Sequence, residues 1–313
     1  MGYVNHLAAL FPGQGSQQVG MGKDLSETYP SAREAFGRAD EILGLPLSRI
    51  CWEGPEEELT QTQNAQPAIL VHSLATWTVI REELAGRVKY SAGHSLGEFA
   101  AYCAAGSLDF EDAVRLVRRR GELMAEARAG TMAAVVGLEP AVVEEICGEV
   151  RADGGVVVAA NYNSPQQLVI SGEAEAVGEA SGKAKAAGAK MVRPLAVSGA
   201  FHSPLMSDAE SGLRAELGNV TFRDPEFPVV SNVTAEPVDD ADTARQTLVS
   251  QLTAPVRWTQ SMTRIAGEGI VEFVEIGPGR VLTGLLRRID RNLAGVEIGK
   301  PDDVEKFSKR GLK

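Results

Sequence analysis

Apolar residues along this chain fall in two rhythms: short continuous runs, and stripes that repeat every three to four positions. The runs Leu7–Phe11, Arg87–Ala92, Val229–Val233 and Val271–Ile276 predict strands, and Gly97–Ala105 reads as a helix of small residues. The clearest stripe lies in a helix predicted over 109–128. Asp109 can cap it, Glu111 and Asp112 suit its positive end, and Gly130 closes it. At about 100° per residue, Ala113, Leu116, Val117, Met124 and Ala127 share one face, and Arg120 falls at the centre of that face. Arg118 and Arg119 point to the polar side. A guanidinium directed inward needs an anion or a solvated cleft, because an unpaired buried charge is costly. Ligand anchoring, an internal ion pair and a snorkelling side chain are all open readings of Arg120.

The rhythm changes after residue 130. Strands are expected at Thr131–Gly137, Val156–Asn161, Gln167–Ser171 and Lys190–Val197, with helices at Pro140–Val150 and Ala174–Ala187. That βαββαβ order is the split βαβ or ferredoxin-like unit, complete in itself. It predicts a small domain over 129–198 inserted into a large one made of 1–128 and 199–313, with the cleft between them as the place for a ligand. Directly after the insert, Ser203 as N-cap and Pro204 as first helical residue predict a helix start. His202 then lies just outside a positive helix end, which keeps imidazole neutral and fit for general-base work, although a lone histidine is as readily structural. Further on, a helix leads to Gln251-Leu252, and Pro255–Trp258 precedes another. Gly277-Pro278-Gly279 opens a final helix, and the charged sequence after Lys300 reads as a surface tail.

Composition narrows the class. The chain has 313 residues, 44% hydrophobic and 23% charged, with a formal net charge of −11. These proportions are those of a globular protein, and the acidic balance argues against nucleic-acid binding. Three widely spaced cysteines and four histidines point to neither a disulfide framework nor a metal site. No run of apolar residues is long enough for a membrane span, and the first residues resemble neither a secretory signal nor a myristoylation site, so a cytoplasmic location is expected.

Candidate chemistry centres on Gly93-His94-Ser95-Leu96-Gly97, a Gly-x-Ser-x-Gly pentapeptide between a predicted strand and a predicted helix. In a nucleophile elbow the serine sits at the apex of a strained turn, and flanking glycines leave room for it. An ordinary strand–turn–helix junction with a capping serine is the alternative. The loop Pro12-Gly13-Gln14-Gly15-Ser16-Gln17 is not a phosphate loop. A dinucleotide fingerprint would need glycine where Gln18 stands, and a Walker loop would need Ser or Thr where Asp24 stands. Its glycines serve backbone geometry instead.

Six motifs occur in order: Phe11–Gln17, Gly93–Glu98, Arg120-Gly121, Gly199–Ser203, Ser231-Asn232-Val233 and Glu275–Gly279. Together they resemble the malonyl-CoA:acyl carrier protein transacylase family over nearly the whole chain. The resemblance implies an α/β fold: an α/β-hydrolase-like core with a parallel sheet, plus the inserted ferredoxin-like βαββαβ small domain. It also implies ping-pong malonyl transfer from malonyl-CoA to the phosphopantetheine thiol of acyl carrier protein, for fatty acid synthesis. Ser95 would be the nucleophile, His202 the base, and Arg120 the cation that holds the malonate carboxylate. The main-chain N–H groups of Gln14 and Leu96 would form the oxyanion hole. Gln251, Phe201 and Asn232 would line the substrate side. The Gln251 carbonyl would orient the histidine, and Asn232 would bond nearby or simply shape a turn. Leu96 and Phe201 match malonyl-selecting rather than methylmalonyl-selecting members, and His94 is expected to pack rather than to line the pocket.

No metal or other cofactor is implied, the partners are malonyl-CoA and acyl carrier protein, and a monomer is expected. Lys183, Lys185 and Lys190 are candidates for docking an acidic carrier, with a solvated helix face as the bland reading. The alternatives are a discrete acyltransferase serving a polyketide synthase and an α/β-hydrolase-type thioesterase. Arg120 and the lack of an acidic third triad member speak against the thioesterase.

Overall fold

Leu7–Phe11 has no polar side chain to leave in water, and it becomes β1, buried at every residue. The computed structural model describes residues 6–127, 130–197 and 199–311; the expected domain boundaries at residues 128, 129 and 198 lie outside them. After β1 come helices α1 (Lys23–Thr28), α2 (Pro30–Leu43), α3 (Leu47–Glu53), α4 (Glu56–Leu59) and the long α5 (Thr62–Leu84). Strand β2 (Val88–Gly93), α6 (Gly97–Ala104) and α7 (Phe110–Glu126) follow. Next are β3 (Thr131–Val136), α8 (Pro140–Ala152), β4 (Val157–Ser164), β5 (Gln167–Gly172), α9 (Ala174–Ala186) and β6 (Met191–Pro194). A 3-10 turn at Pro204–Met206 leads into α10 (Ser207–Gly218), β7 (Val229–Val230), β8 (Pro237–Val238), α11 (Ala241–Ser250) and α12 (Trp258–Gly267). The described chain closes with β9 (Glu272–Ile276), α13 (Val281–Ile289), β10 (Ala294–Ile298) and α14 (Pro301–Gly311).

The strands form a mixed α/β arrangement of two sheets. The larger has the order β10-β9-β1-β2-β7-β8 and is parallel except for the β7–β8 pair. Its register sets Phe11 beside Gly93, so the loops leaving β1 and β2 emerge together at the carboxyl edge of the sheet. Open parallel sheets hold ligands at that edge. The smaller sheet is antiparallel, in the order β4-β5-β3-β6. Helices α8 and α9 cover one face of it, where Val135, Leu168 and Ile170 pack against Val143, Ile146 and Val177. From its other face Met132 and Val169 join the main core. Main-chain bonds from Tyr162 N–H to the Val256 carbonyl (2.9 Å) and from Val256 N–H to the Ala160 carbonyl (2.8 Å) tie β4 to the larger body.

Several expectations change in detail. The chain after Lys300 is not a tail: it is helix α14, whose Val304 and Phe307 are buried in the main core. Helix α13 is therefore not the last, and β10 follows it at the edge of the larger sheet. Strand β7 has only two residues, because Ser231 and Asn232 leave the ladder for a turn. Strand β6 closes at Pro194, whose ring nitrogen has no hydrogen for the ladder. Asp109 stands at the N-cap of α7 without a capping bond; its carboxylate faces Arg223 instead, at 3.0 Å.

Candidate active site

The turn between β2 and α6 is a strained elbow. Ser95 has φ 53°, in the left-handed region that non-glycine residues rarely occupy. The turn needs glycine on both sides: a Cβ at Gly93 would overlap the Gly97 carbonyl group, and one at Gly97 would overlap the carbonyl oxygen of Phe11. Asn232 braces it from the segment after β7. Its Oδ1 accepts from Ser95 N–H at 2.7 Å, and its Nδ2 donates to the Gly93 carbonyl at 2.7 Å. Of the two roles expected for Asn232, hydrogen bonding to the elbow is the one realised. The serine of an ordinary helix cap would need neither the strain nor the brace.

His202 approaches from the segment after β6, buried and also in the left-handed region at φ 57°. Its Nε2 lies 2.8 Å from Ser95 Oγ, and its Nδ1 lies 2.8 Å from the Gln251 carbonyl oxygen. A carbonyl can only accept, so Nδ1 carries the hydrogen and Nε2 presents a lone pair to the serine hydroxyl. Burial, and then the Arg120 cation, pull the imidazole pKa down to about 3, so the ring is neutral at ordinary pH. The helix start expected at Pro204 is a 3-10 turn that runs directly into α10, with Ser203 as its cap, accepting from Leu205 N–H at 3.3 Å.

Arg120 does not snorkel; it is 1% exposed. Its guanidinium donates to Gln66 Oε1 at 2.7 Å, Gln251 Oε1 at 2.8 Å and Ser95 Oγ at 3.1 Å, and it lies over the Phe99 ring. No carboxylate is hydrogen-bonded to it among the described residues. The internal ion pair expected as one option is therefore not made directly. Burial lowers its pKa to about 9 against the attraction of Glu98, which leaves it a cation at neutral pH. A desolvated cation aimed at a serine hydroxyl can hold an anionic group of whatever acylates that serine.

The loop after β1 supplies the remaining wall. Neither Gln14 N–H nor Leu96 N–H donates to any acceptor among the described residues. Both belong to the two loops that the β1–β2 register brings together. Gly13 allows the approach, since a Cβ there would overlap the His94 carbonyl oxygen. Unspent main-chain donors beside a nucleophile can stabilise a developing oxyanion. The groove beside them has a volume of about 610 Å³, walled by Gln14, Ser95, Phe201 and His202 on one side and by Met132, Asn161, Asn163 and Val169 of the smaller sheet on the other. Of the residues expected on the substrate side, Phe201 lines it, while Arg120, Gln251 and Asn232 are buried behind the lining. His94 does more than pack. It lines this groove, lies 5.4 Å from the Trp258 ring, and bonds through Nε2 to Asn163 Oδ1 at 2.8 Å.

Not every expected residue gathers here. Lys183 and Lys185 lie on α9, which covers the face of the smaller sheet away from the groove, and Lys183 is paired with Glu149 at 2.7 Å. Lys190 stands just before β6, outside the groove lining. Conversely, Gln66 and the buried Glu98 belong to the site although the sequence pattern assigns them no role. Gln66 sits in a helix buried almost all round, where no polar stripe singles it out. Glu98 ends the Gly93–Glu98 motif, and its charge in a small-residue helix was the available signal.

The chain resembles known proteins over nearly its whole length. Residues 9–298 match the family model described as the acyl transferase domain. The malonyl CoA-acyl carrier protein transacylase of Bacillus subtilis strain 168 is 44% identical over 305 residues, covering 96% of each chain. The protein of the same name from Escherichia coli K12 is 44% identical, covering 95% of this chain and 97% of its own. Among solved structures, the malonyl CoA-acyl carrier protein transacylase of Coxiella burnetii superposes with a TM-score of 0.95 at 39% identity, over 99% of both chains. A malonyl-transacylase solved in complex with a type II polyketide acyl carrier protein superposes at 0.94 with 42% identity, covering 98% of this chain and all of that one.

Proposed function

Because the chain belongs to the acyl transferase domain family, we propose that it carries a malonyl group from malonyl-CoA to the phosphopantetheine thiol of acyl carrier protein, through malonyl-Ser95. The observation that carries the reading is the contact of Ser95 Oγ with both a neutral imidazole, at 2.8 Å, and a buried guanidinium, at 3.1 Å. The first makes the hydroxyl a nucleophile, and the second selects an acyl group with a negative charge.

His202 Nε2 takes the Ser95 proton as Oγ attacks the thioester carbon. The resulting oxyanion is met by the N–H groups of Gln14 and Leu96. Collapse breaks the carbon–sulfur bond, and the coenzyme A thiolate leaves with the proton from His202. The carrier thiol then gives its proton to His202 and attacks malonyl-Ser95, and the proton returns to Oγ as the new thioester departs. Through both halves Arg120 holds the malonate carboxylate, while the Gln251 carbonyl keeps Nδ1–H of His202 in place. Phe201, on the groove wall, narrows the space beside the α-carbon. A methyl there changes binding by only about 1–3 kcal/mol. Nucleophile, base, oxyanion donors and cation are all groups of the chain, so this chemistry calls for no metal or cofactor.

We read the core as α/β-hydrolase-like and the four-stranded unit as a ferredoxin-like domain inserted over residues 129–198, the large domain being 1–128 and 199–313. No helix among the described residues is long and apolar enough to cross a membrane, and the proposed setting is a cytoplasmic monomer. A polyketide carrier is the second recipient to consider, favoured by the likeness to the transacylase solved with one. Intact mass spectrometry tests the whole reading. Incubation with malonyl-CoA should add one malonyl group to the wild type and none to Ser95→Ala, and holo carrier protein should then remove it. Release to water with no gain on either kind of carrier would favour the thioesterase instead.

A further inference from the structure

Glu98 is buried and has no place in the chemistry above. It lies in the first turn of α6, directly behind the elbow. Its Oε2 accepts from Gln251 Nε2 at 2.6 Å and from Asn232 N–H at 3.3 Å. Each of these partners touches the reacting groups elsewhere. Gln251 Nε2 also donates to the Ser95 carbonyl at 3.0 Å, its Oε1 accepts from Arg120, and its main-chain carbonyl accepts from His202. Asn232 braces Ser95 N–H and the Gly93 carbonyl. One carboxyl oxygen thus meets both residues on which the nucleophile, the base and the cation depend.

Resting on the malonyl-transfer reading, we propose that Glu98 is a positioning residue. Its carboxylate fixes the Gln251 amide and the Asn232 backbone, and serves through that amide as the counter-charge of Arg120. An amide between an anion and a cation has one favoured orientation, NH2 toward the carboxylate and oxygen toward the guanidinium, and Gln251 has that orientation here. Glu98 and Arg120 therefore form an ion pair relayed through a side-chain dipole, with no direct contact that would turn the guanidinium away from Ser95.

The relay has a consequence for malonyl binding. When the malonate carboxylate meets Arg120, two anions share one buried cation, and the protein anion is relieved by taking a proton. Glu98 Oε1 is not engaged by Gln251 or Asn232, and the Ser231 hydroxyl beside the carboxyl can accept from a proton carried there. Burial already raises its pKa to about 7, so the uptake falls in the neutral range. The charged group bearing on it is Arg120 from α7; Tyr102, one turn along α6, faces it as a phenol, and the segments carrying Ser231, Asn232 and Gln251 offer only hydroxyl and amide groups. As pH rises through 7, Glu98 becomes harder to keep protonated, and malonyl binding weakens. Acetyl, with no carboxylate, places no such demand.

The test measures kcat and KM for malonyl-CoA and acetyl-CoA from pH 6 to 8, on the full chain and on Glu98→Gln, with intact mass to count the acyl-enzyme. On the wild type, KM for malonyl-CoA should rise with pH while that for acetyl-CoA stays level. In E98Q, whose neutral side chain stands in for the protonated acid, KM for malonyl-CoA should stay near the wild-type pH 6 value up to pH 8, while kcat falls about ten- to a hundredfold for both substrates because the Gln251 amide loses its charged acceptor. Equal profiles for the two substrates in the wild type, or an E98Q that keeps the wild-type pH dependence, would overturn the proposal. If E98Q does not fold, the wild-type comparison decides alone. Absence of malonyl-Ser95 in the wild type would instead refute malonyl transfer itself, a failure that the mass spectrum separates from the first.

Discussion

At the scale of single residues, the site is legible where chemistry fixes the residue type. Ser95 between glycines and an arginine inside an apolar stripe stand out because a buried cation and a tight turn each exclude most other residues. The Gln251 carbonyl carries no such mark, since every residue has one, and only the resemblance pointed to it. Asn232 is ambiguous in sequence for a related reason: asparagine shapes turns as readily as it bonds across them. Arg120→Ala should lower kcat/KM for malonyl-CoA by about 10²–10³-fold, as expected for removing one partner of a buried charge pair, and affect acetyl-CoA much less. Equal losses in acyl-enzyme formation would refute the clamp. Asn232→Ala leaves Ser95 N–H and the Gly93 carbonyl without their acceptor and donor. A loss of about 1–3 kcal/mol in urea unfolding should accompany slower acylation.

At the scale of elements, amphipathic pieces were readable and uniformly buried or sparsely apolar ones were not. Helix α7 showed its stripe, and Ala113, Leu116, Val117, Arg120 and Met124 are indeed buried. Helix α5 is buried on nearly every side from Thr62 to Thr76 and so lacks a polar face to betray its period. Helix α14 hid for the opposite reason: its charge is conspicuous, whereas Val304 and Phe307, one turn apart, are few. Removing residues 301–313 would strip both from the core at about 1.5–3 kcal/mol each. The melting temperature should drop by about 5–10 °C, and an unchanged midpoint would show the helix to be dispensable. The elbow itself tolerates no side chain at its glycines: Gly97→Ala should fold poorly or lose acylation, because its Cβ has nowhere to go but into β1.

At the scale of the molecule, the order of elements revealed the second sheet, but its seating on the first rests on contacts far apart in sequence, such as Tyr162 with Val256, which no local pattern announces. Long-range seams also set the response to acid. His72 on α5 joins the carbonyl of Gly299, ahead of α14, at 2.9 Å, and burial pulls its pKa from 6.5 to about 4. Between those values the unfolded chain takes a proton that the folded one refuses, so its contribution to stability falls as pH drops from 6.5 toward 4. The raised carboxyls of Glu98 and Glu275 act in the opposite sense, favouring the fold at low pH and losing that effect as they ionise. Urea midpoints of His72→Gln should therefore decline less steeply than those of the wild type below pH 6.5. The bond between His94 and Asn163 joins the two sheets next to the nucleophile, with the β4–Val256 pairing close behind. That bond draws the two walls of the groove together at its throat. Whatever reaches Ser95 has to arrive as a thin thread, and coenzyme A and the carrier both offer their thiol on the same pantetheine thread. A single fixed slot can therefore receive each in turn, and the two halves of the transfer need no reshaping of the molecule between them.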